Sequence, residues 1–192
     1  MRGNAKREDL RKVVHLLVGV AAVSIVQFVG FNSGLLFLVA IFLVGLLLAN
    51  FKMLGGEVKA VDQILSVLDR GDSVPAKGAM VFAAGIIILL TYARPLEFAL
   101  GIVLLHAAGD AFATIVGRRF SKHSLPWNRE KTIAGIASYF IFGTLAALVF
   151  IPFPSVILYA LVLAIVESLP LKVDDNLTVP LTALLLILGG FA

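Results

Sequence analysis

Apolar residues fall in long runs along this chain, and the length of those runs sets the first reading. Stretches long enough to cross about 30 Å of hydrocarbon, at about 1.5 Å per helical residue, recur from end to end. Seven are read, at about 13–30, 34–51, 78–93, 96–117, 132–151, 154–169 and 177–192. The segment between the second and third differs. There Val58, Val61, Ile64, Leu65 and Leu68 recur at helical spacing, with Glu57, Lys59, Asp62 and Asp69 between them. That pattern predicts a short amphipathic helix over about 57–70, lying at the membrane interface. It either returns the chain to the bilayer or borders a lateral gate for a lipid. No cleavage site of small residues follows the first run, which is therefore expected to remain as a span. No linker, low-complexity tract or internal repeat divides the 192 residues, so one domain over 1–192 is expected.

Composition agrees with an all-α, polytopic membrane bundle. The chain is 60% hydrophobic and 15% charged, with a mean hydropathy of +1.02. Soluble domains carry about 45–50% apolar and about 25% charged residues. A soluble globule, a coiled coil, a collagen and a disordered chain are excluded. The absence of cysteine removes disulfides, thiolate metal sites and thiol nucleophiles.

Net charge is +4, but in such a chain the position of the cations matters more than their sum, and nucleic acid is not expected as a partner. The N-terminal segment holds Arg2, Lys6, Arg7, Arg11 and Lys12, and the second-to-third loop holds Lys52, Lys59, Arg70 and Lys77. The fourth-to-fifth loop adds Arg118, Arg119, Lys122, Arg129 and Lys131, and the last loop Lys172. Of the 16 Lys and Arg, only Arg94 falls on the other side. The positive-inside rule then places the N-terminus and these loops in the cytoplasm and the C-terminus outside.

Several polar groups are out of place in a passive bundle. Asp110 lies well within the fourth run, where a carboxylate costs about 2.5–3.5 kcal/mol at a helix centre. Ala113, Thr114 and Gly117 share its face and leave room for a backbone or a ligand. Asp110 is either the polar member of a packing face, paired with Arg118 or Arg119, or part of a functional site, and its cost favours the site. Lys131, Thr132 and Gly135 open the fifth run, where free N–H groups make a seat for phosphate; Thr132 also suits an N-cap. Glu167, Lys172, Asp174, Asp175 and Asn176 form a third cluster. Its two adjacent carboxylates, Asp174 and Asp175, and the Asn176 amide suit Mg²⁺, or else Asp175 or Asn176 caps the last helix. Arg11 and His15 lie one turn apart on the first helix, facing the same mouth, with His15 either a packing residue or a catalyst. His106 and His123 have no partner legible in the sequence. Carboxylates for a metal, with cations and a helix N-terminus for phosphoryl oxygens, make the set that polyphosphate chemistry needs.

These residues resemble the CTP-dependent lipid-alcohol kinases, which comprise the dolichol (polyprenol), phytol and CTP-dependent diacylglycerol kinases. The family pattern Asp-x-x-Ala-x-x-x-Gly-x-x-x-Gly, followed after a basic stretch by Lys-Lys-Thr-x-Glu-Gly, is met by Asp110, Ala113, Gly117, Lys131, Thr132 and Gly135. Arg11, Lys12 and His15 resemble its first-helix motif, and Asp174, Asp175, Asn176 and Pro180 its last. Ser121, Glu130 and Ala134 depart from it, standing where the family has Gly, Lys and Glu.

The resemblance implies transfer of the γ-phosphate of CTP, with Mg²⁺, to the hydroxyl of a polyprenol or dolichol-type alcohol. Diacylglycerol and phytol or geranylgeraniol are the alternative acceptors, and a small transporter is the alternative of another class. It implies Asp110, Lys131 and His15 as catalytic. Lys12, Ala113, Gly117, Arg118, Arg119, Lys131, Thr132, Gly135 and Asn176 would bind the nucleotide, and Asp110, Asp174 and Asp175 the metal.

Overall fold

In lipid every backbone N–H and C=O must be satisfied within the protein, so long apolar runs fold as helices. A computed structural model describes the whole chain except Met1, Arg70, Asp72, Ser121 and Lys122, with side chains from residue 5 onward. Four residues read above therefore fall outside the description: Ser121 among the motif departures, and Arg70, Lys122 and the Arg2 side chain among the loop cations.

The described residues form eight helices: α1 (Arg2–Val29), α2 (Phe31–Met53), α3 (Lys59–Leu68), α4 (Lys77–Tyr92), α5 (Leu96–Phe120), α6 (Ile133–Ala147), α7 (Ser155–Ser168) and α8 (Asp175–Leu188). No strand occurs among them, only an isolated bridge between Ser124 and Thr132. Each expected apolar run coincides with a helix, and α3 lies within the amphipathic segment. The one large difference is at the start, where α1 reaches back to Arg2. The stretch Ala5–Lys12 is rich in Ala, Lys, Arg, Glu and Leu, all good helix formers, so nothing breaks the helix before its apolar run.

Three helical stretches, Ala5–Val29, Phe31–Met53 and Leu96–Phe120, are long and apolar enough to cross a membrane. The helices α4, α6, α7 and α8 are apolar but have 16, 15, 14 and 14 residues. At about 1.5 Å per residue the shortest cover only about 21 Å. The helix α5 is the centre of the bundle and packs against α1, α4, α6, α7 and α8. Its Ala99, Ile102, Leu105 and Ala107 are fully buried. The N-terminus of α8 opens beside Asp110, deep in α5, and that of α6 beside Ala113 and Gly117 in its last two turns.

Helix α1 closes on α5 through Gly19, where an added Cβ would lie 2.5 Å from the Ala107 Cβ. That approach puts the polar residues one and two turns earlier in α1 against Asp110. Helix α3 is the outlier of the fold. None of its residues is buried, and it is flanked by Gly55 and Gly71, at φ +86° and +77°. An ion pair from Lys52 to Asp62, 2.5 Å long, ties it back to α2.

Candidate active site

Asp110 is fully buried about ten residues, or about 15 Å, before the C-terminal end of α5. Lys12 of α1 places its Nζ 2.6 Å from both carboxylate oxygens. His15, one turn further along α1, has its Nε2 3.6 Å from Asp110 Oδ2. The His15 ring lies against Phe82 at 3.7 Å between centroids, which fixes its plane. One turn before Asp110 on α5, His106 Nδ1 meets the Tyr139 hydroxyl of α6 at 3.1 Å.

Ala113 and Gly117, on the same face of α5, form the floor on which α6 begins. An added Cβ at Gly117 would lie 2.7 Å from Thr132 Oγ1, and one at Gly135 3.1 Å from the Ala113 carbonyl oxygen. Small residues here let two backbones approach closely. Thr132 is the N-cap of α6, its hydroxyl accepting the Gly135 N–H at 3.1 Å.

The α5–α6 loop folds back on itself, with the Leu125 N–H donating to the Lys131 carbonyl at 2.9 Å. Trp127 Nε1 and Asn128 Nδ2 then donate to the Oγ and backbone O of Ser168, at 3.3 and 3.1 Å. The loop is thereby pinned to the end of α7, and Lys131 is held beside Glu167, whose carboxylate its ammonium bonds, and Asp175, at 3.1 Å. Burial opposes the charge on Lys131, but Glu167 and Asp175 outweigh it and raise its pKa above the ordinary lysine range.

Asp110, Glu167 and Asp175 each present an oxygen within 4.8 Å of the others. Three carboxylates converging on one point, with Lys12 and Lys131 offsetting their charge, fit a hard divalent cation such as Mg²⁺. Asp174 stands outside this group. Its Oδ1 accepts the Asn176 N–H at 3.0 Å and caps α8, and burial holds its pKa above the usual carboxylate value.

These elements wall a polar cavity of about 520 Å³. Of the residues expected to bind nucleotide, Lys12, Ala113, Gly117, Arg118, Lys131, Thr132, Gly135 and Asn176 line it. Arg119 does not. It is exposed and pairs with Asp9 at 3.2 Å, as Arg118 does more loosely at 3.4 Å. A second, mostly apolar pocket of about 210 Å³ lies between α1, α3 and α4 and contains Arg11 and His15 in its lining.

A chloroplastic farnesol kinase of Arabidopsis thaliana is 31% identical over 210 residues, which cover 99% of this chain and 67% of that protein. The chain belongs to the farnesol and phytol kinase family.

A probable chloroplastic phytol kinase 1 of Glycine max is 31% identical over 140 residues, covering 63% of the chain and 46% of that protein. A probable chloroplastic phytol kinase 2 of Oryza sativa subsp. japonica is 28% identical over 203 residues, covering 96% and 66%. The chain thus spans about half to two thirds of the length of these curated relatives. No protein-family model and no solved structure matches it.

In this member of the family, Glu167 is the residue that sequence reading left without a role. Its signal was present, a carboxylate one residue from the end of an otherwise apolar helix, but only the loop pinned at Ser168 shows that it turns inward. His106 was likewise unassigned, because its partner Tyr139 lies 33 residues away. Of the departures from the family pattern, Glu130 borders the polar cavity, and Ala134 sits in the first turn of α6, where its carbonyl accepts the Ser138 hydroxyl at 2.7 Å.

Proposed function

We propose that this chain is a membrane kinase that moves the γ-phosphate of CTP to the primary hydroxyl of an isoprenoid alcohol, giving CDP and the lipid monophosphate. The observation that carries the reading is the convergence of Asp110, Glu167 and Asp175, the last two lining one polar cavity together with Lys12, Lys131 and the N-terminus of α6. Phosphoryl transfer is mostly positioning and charge neutralisation, and this is a set of groups for both. The family names farnesol and phytol favour the shorter isoprenoid alcohols over dolichol as acceptor.

Asp110, Glu167 and Asp175 would hold Mg²⁺, which when bound supplies positive charge to the phosphoryl oxygens. Lys131, Thr132 and the free N–H groups that open α6 would hold the triphosphate, with Arg118 at the cavity wall. The alcohol oxygen forms the new bond to the γ-phosphorus as the bond to the β–γ bridging oxygen breaks, and CDP leaves with that oxygen. His15 Nε2 takes the hydroxyl proton, and Asp110, 3.6 Å away, stabilises the resulting imidazolium. Lys12, bonded to both oxygens of Asp110, holds it in place.

All seven apolar helices would sit in the bilayer as one domain, with the N-terminus and the cavity on the cytoplasmic side and the C-terminus outside. The distribution of Lys and Arg supports this orientation.

The test is an assay of purified protein in lipid vesicles with Mg²⁺, γ-labelled CTP or ATP, and farnesol, phytol, a polyprenol or diacylglycerol. Label entering an isoprenoid alcohol from CTP, and lost in Asp110→Asn, is expected. No labelled lipid from any pairing, with folded protein present, sinks the reading and leaves transport to be tested.

A further inference from the structure

The apolar pocket beside the site is built for a hydrocarbon chain with one polar end. Val18 of α1, Ile64, Leu65 and Leu68 of α3, and Ala79 and Phe82 of α4 supply its apolar walls. Its inner end is polar and belongs to the catalytic cluster, because Lys12 and Asn176 line both this pocket and the polar cavity. The two cavities therefore meet at one wall, beside Asp110. At that wall His15 Nε2 is buried without a hydrogen-bond partner, with Asp110 Oδ2 near it at 3.6 Å. A buried ring nitrogen left unpaired is costly, and an O–H arriving at this point would satisfy it. Apart from Arg11 and Asp69 the remaining walls offer a charged ligand little, whereas an alkyl chain gains from every apolar group it covers.

We propose that this pocket takes the hydroxyl-bearing end of the acceptor's isoprenoid chain, with α3 as its removable wall toward the bilayer. The inference rests on the kinase reading and deepens it. The hydroxyl arrives at the shared wall, next to His15 and Asn176, while the nucleotide occupies the polar cavity on the other side. Helix α3 suits the role of a wall that opens, because it contributes side chains to the pocket yet buries none of its own residues. Its apolar Ile64 and Val67 remain 58% and 41% exposed, a surface a lipid chain can follow inward. Gly55 and Gly71, both with positive φ, lie in the connections on either side of it.

The test compares Leu65→Trp and Ala79→Phe with the wild-type chain in lipid vesicles. Neither residue lines the polar cavity, and neither belongs to the buried core. Two acceptors are used, a long isoprenoid alcohol and the shortest soluble prenyl alcohol. In the variants KM for the long alcohol is expected to rise about tenfold, the loss of burying about two methylene groups. The KM for CTP stays as in wild type, and the short alcohol, which covers fewer of the apolar walls, loses less than the long one.

Wild-type kinetics for the long alcohol in both variants overturn the proposal. A diazirine-bearing prenyl alcohol supplies a readout that needs no turnover. Cross-links mapped to 14–18 or 64–82 support the pocket, and cross-links confined to other helices overturn it. A wild-type chain that phosphorylates no alcohol at all fails the kinase reading itself, and the pocket's role as acceptor site goes with it.

Discussion

Lys12 and Asp110 stand 98 residues apart in the chain, yet the lysine ammonium lies 2.6 Å from both oxygens of the carboxylate. The Lys12 side chain is 12% exposed and that of Asp110 1%. Asp110 has no water to fall back on and Lys12 little, so each is tolerable there because of the other. Removing one partner of such a pair leaves an uncompensated buried charge and costs about 3–5 kcal/mol.

Lys12→Met is therefore expected to destabilise the protein by about that amount, while adding Asp110→Asn to it restores more than half. Unfolding of the two single variants and the double variant in detergent checks this. Strictly additive losses would show that the two groups are not coupled.

The metal assignment separates two neighbouring acids. Glu167→Gln removes a charged oxygen from the three-carboxylate group and is expected to raise the Mg²⁺ concentration for half-maximal activity by about 10–100-fold. Asp174→Asn leaves an equally good helix cap, so both stability and Mg²⁺ dependence should change little. A Mg²⁺ titration of both variants decides, and a larger shift from Asp174→Asn would move the metal site away from Glu167.

Gly117 is held to glycine by its neighbour. In Gly117→Ala the new Cβ falls 2.7 Å from Thr132 Oγ1, a short side chain with nowhere to swing while it caps α6. Forcing α5 and α6 apart is expected to cost about 1–3 kcal/mol and to raise the KM for CTP. Thr132→Ala, which loses the cap alone, should cost about 1 kcal/mol. Equal stability of wild type and Gly117→Ala would contradict the contact.

Lys131 supplies the pH prediction. A lysine whose folded pKa is raised contributes its stability in full below its unfolded pKa of about 10.4, and loses it only as pH climbs through the folded value. Glu167 and Asp175 raise that of Lys131. The stability difference between wild type and Lys131→Met should thus be the same at about pH 7 and about pH 9. A difference that shrinks by pH 9 would mean that Lys131 loses its proton in that range.

The order of apolar runs, the amphipathic α3 and the gathering of polar groups near one end were legible in the sequence, because hydrophobic length and helical spacing are local properties. So was most of the cavity lining. Ala113, Gly117, Thr132 and Gly135 carry their spacing with them, and their close packing follows from having no room for larger side chains. What tertiary structure alone decided concerns pairs distant in the chain.

The sequence could not say which cation neutralises Asp110. Arg118 and Arg119 are nearer along the chain, but they sit at the far end of α5 and turn to Asp9. The close approach of Gly19 to Ala107 delivers Lys12 instead. Nor could it separate Asp174 from Asp175, adjacent residues of which one caps α8 and the next faces Glu167. One residue along a helix start is a rotation of about 100°, and only packing decides which side of that rotation meets the other carboxylates.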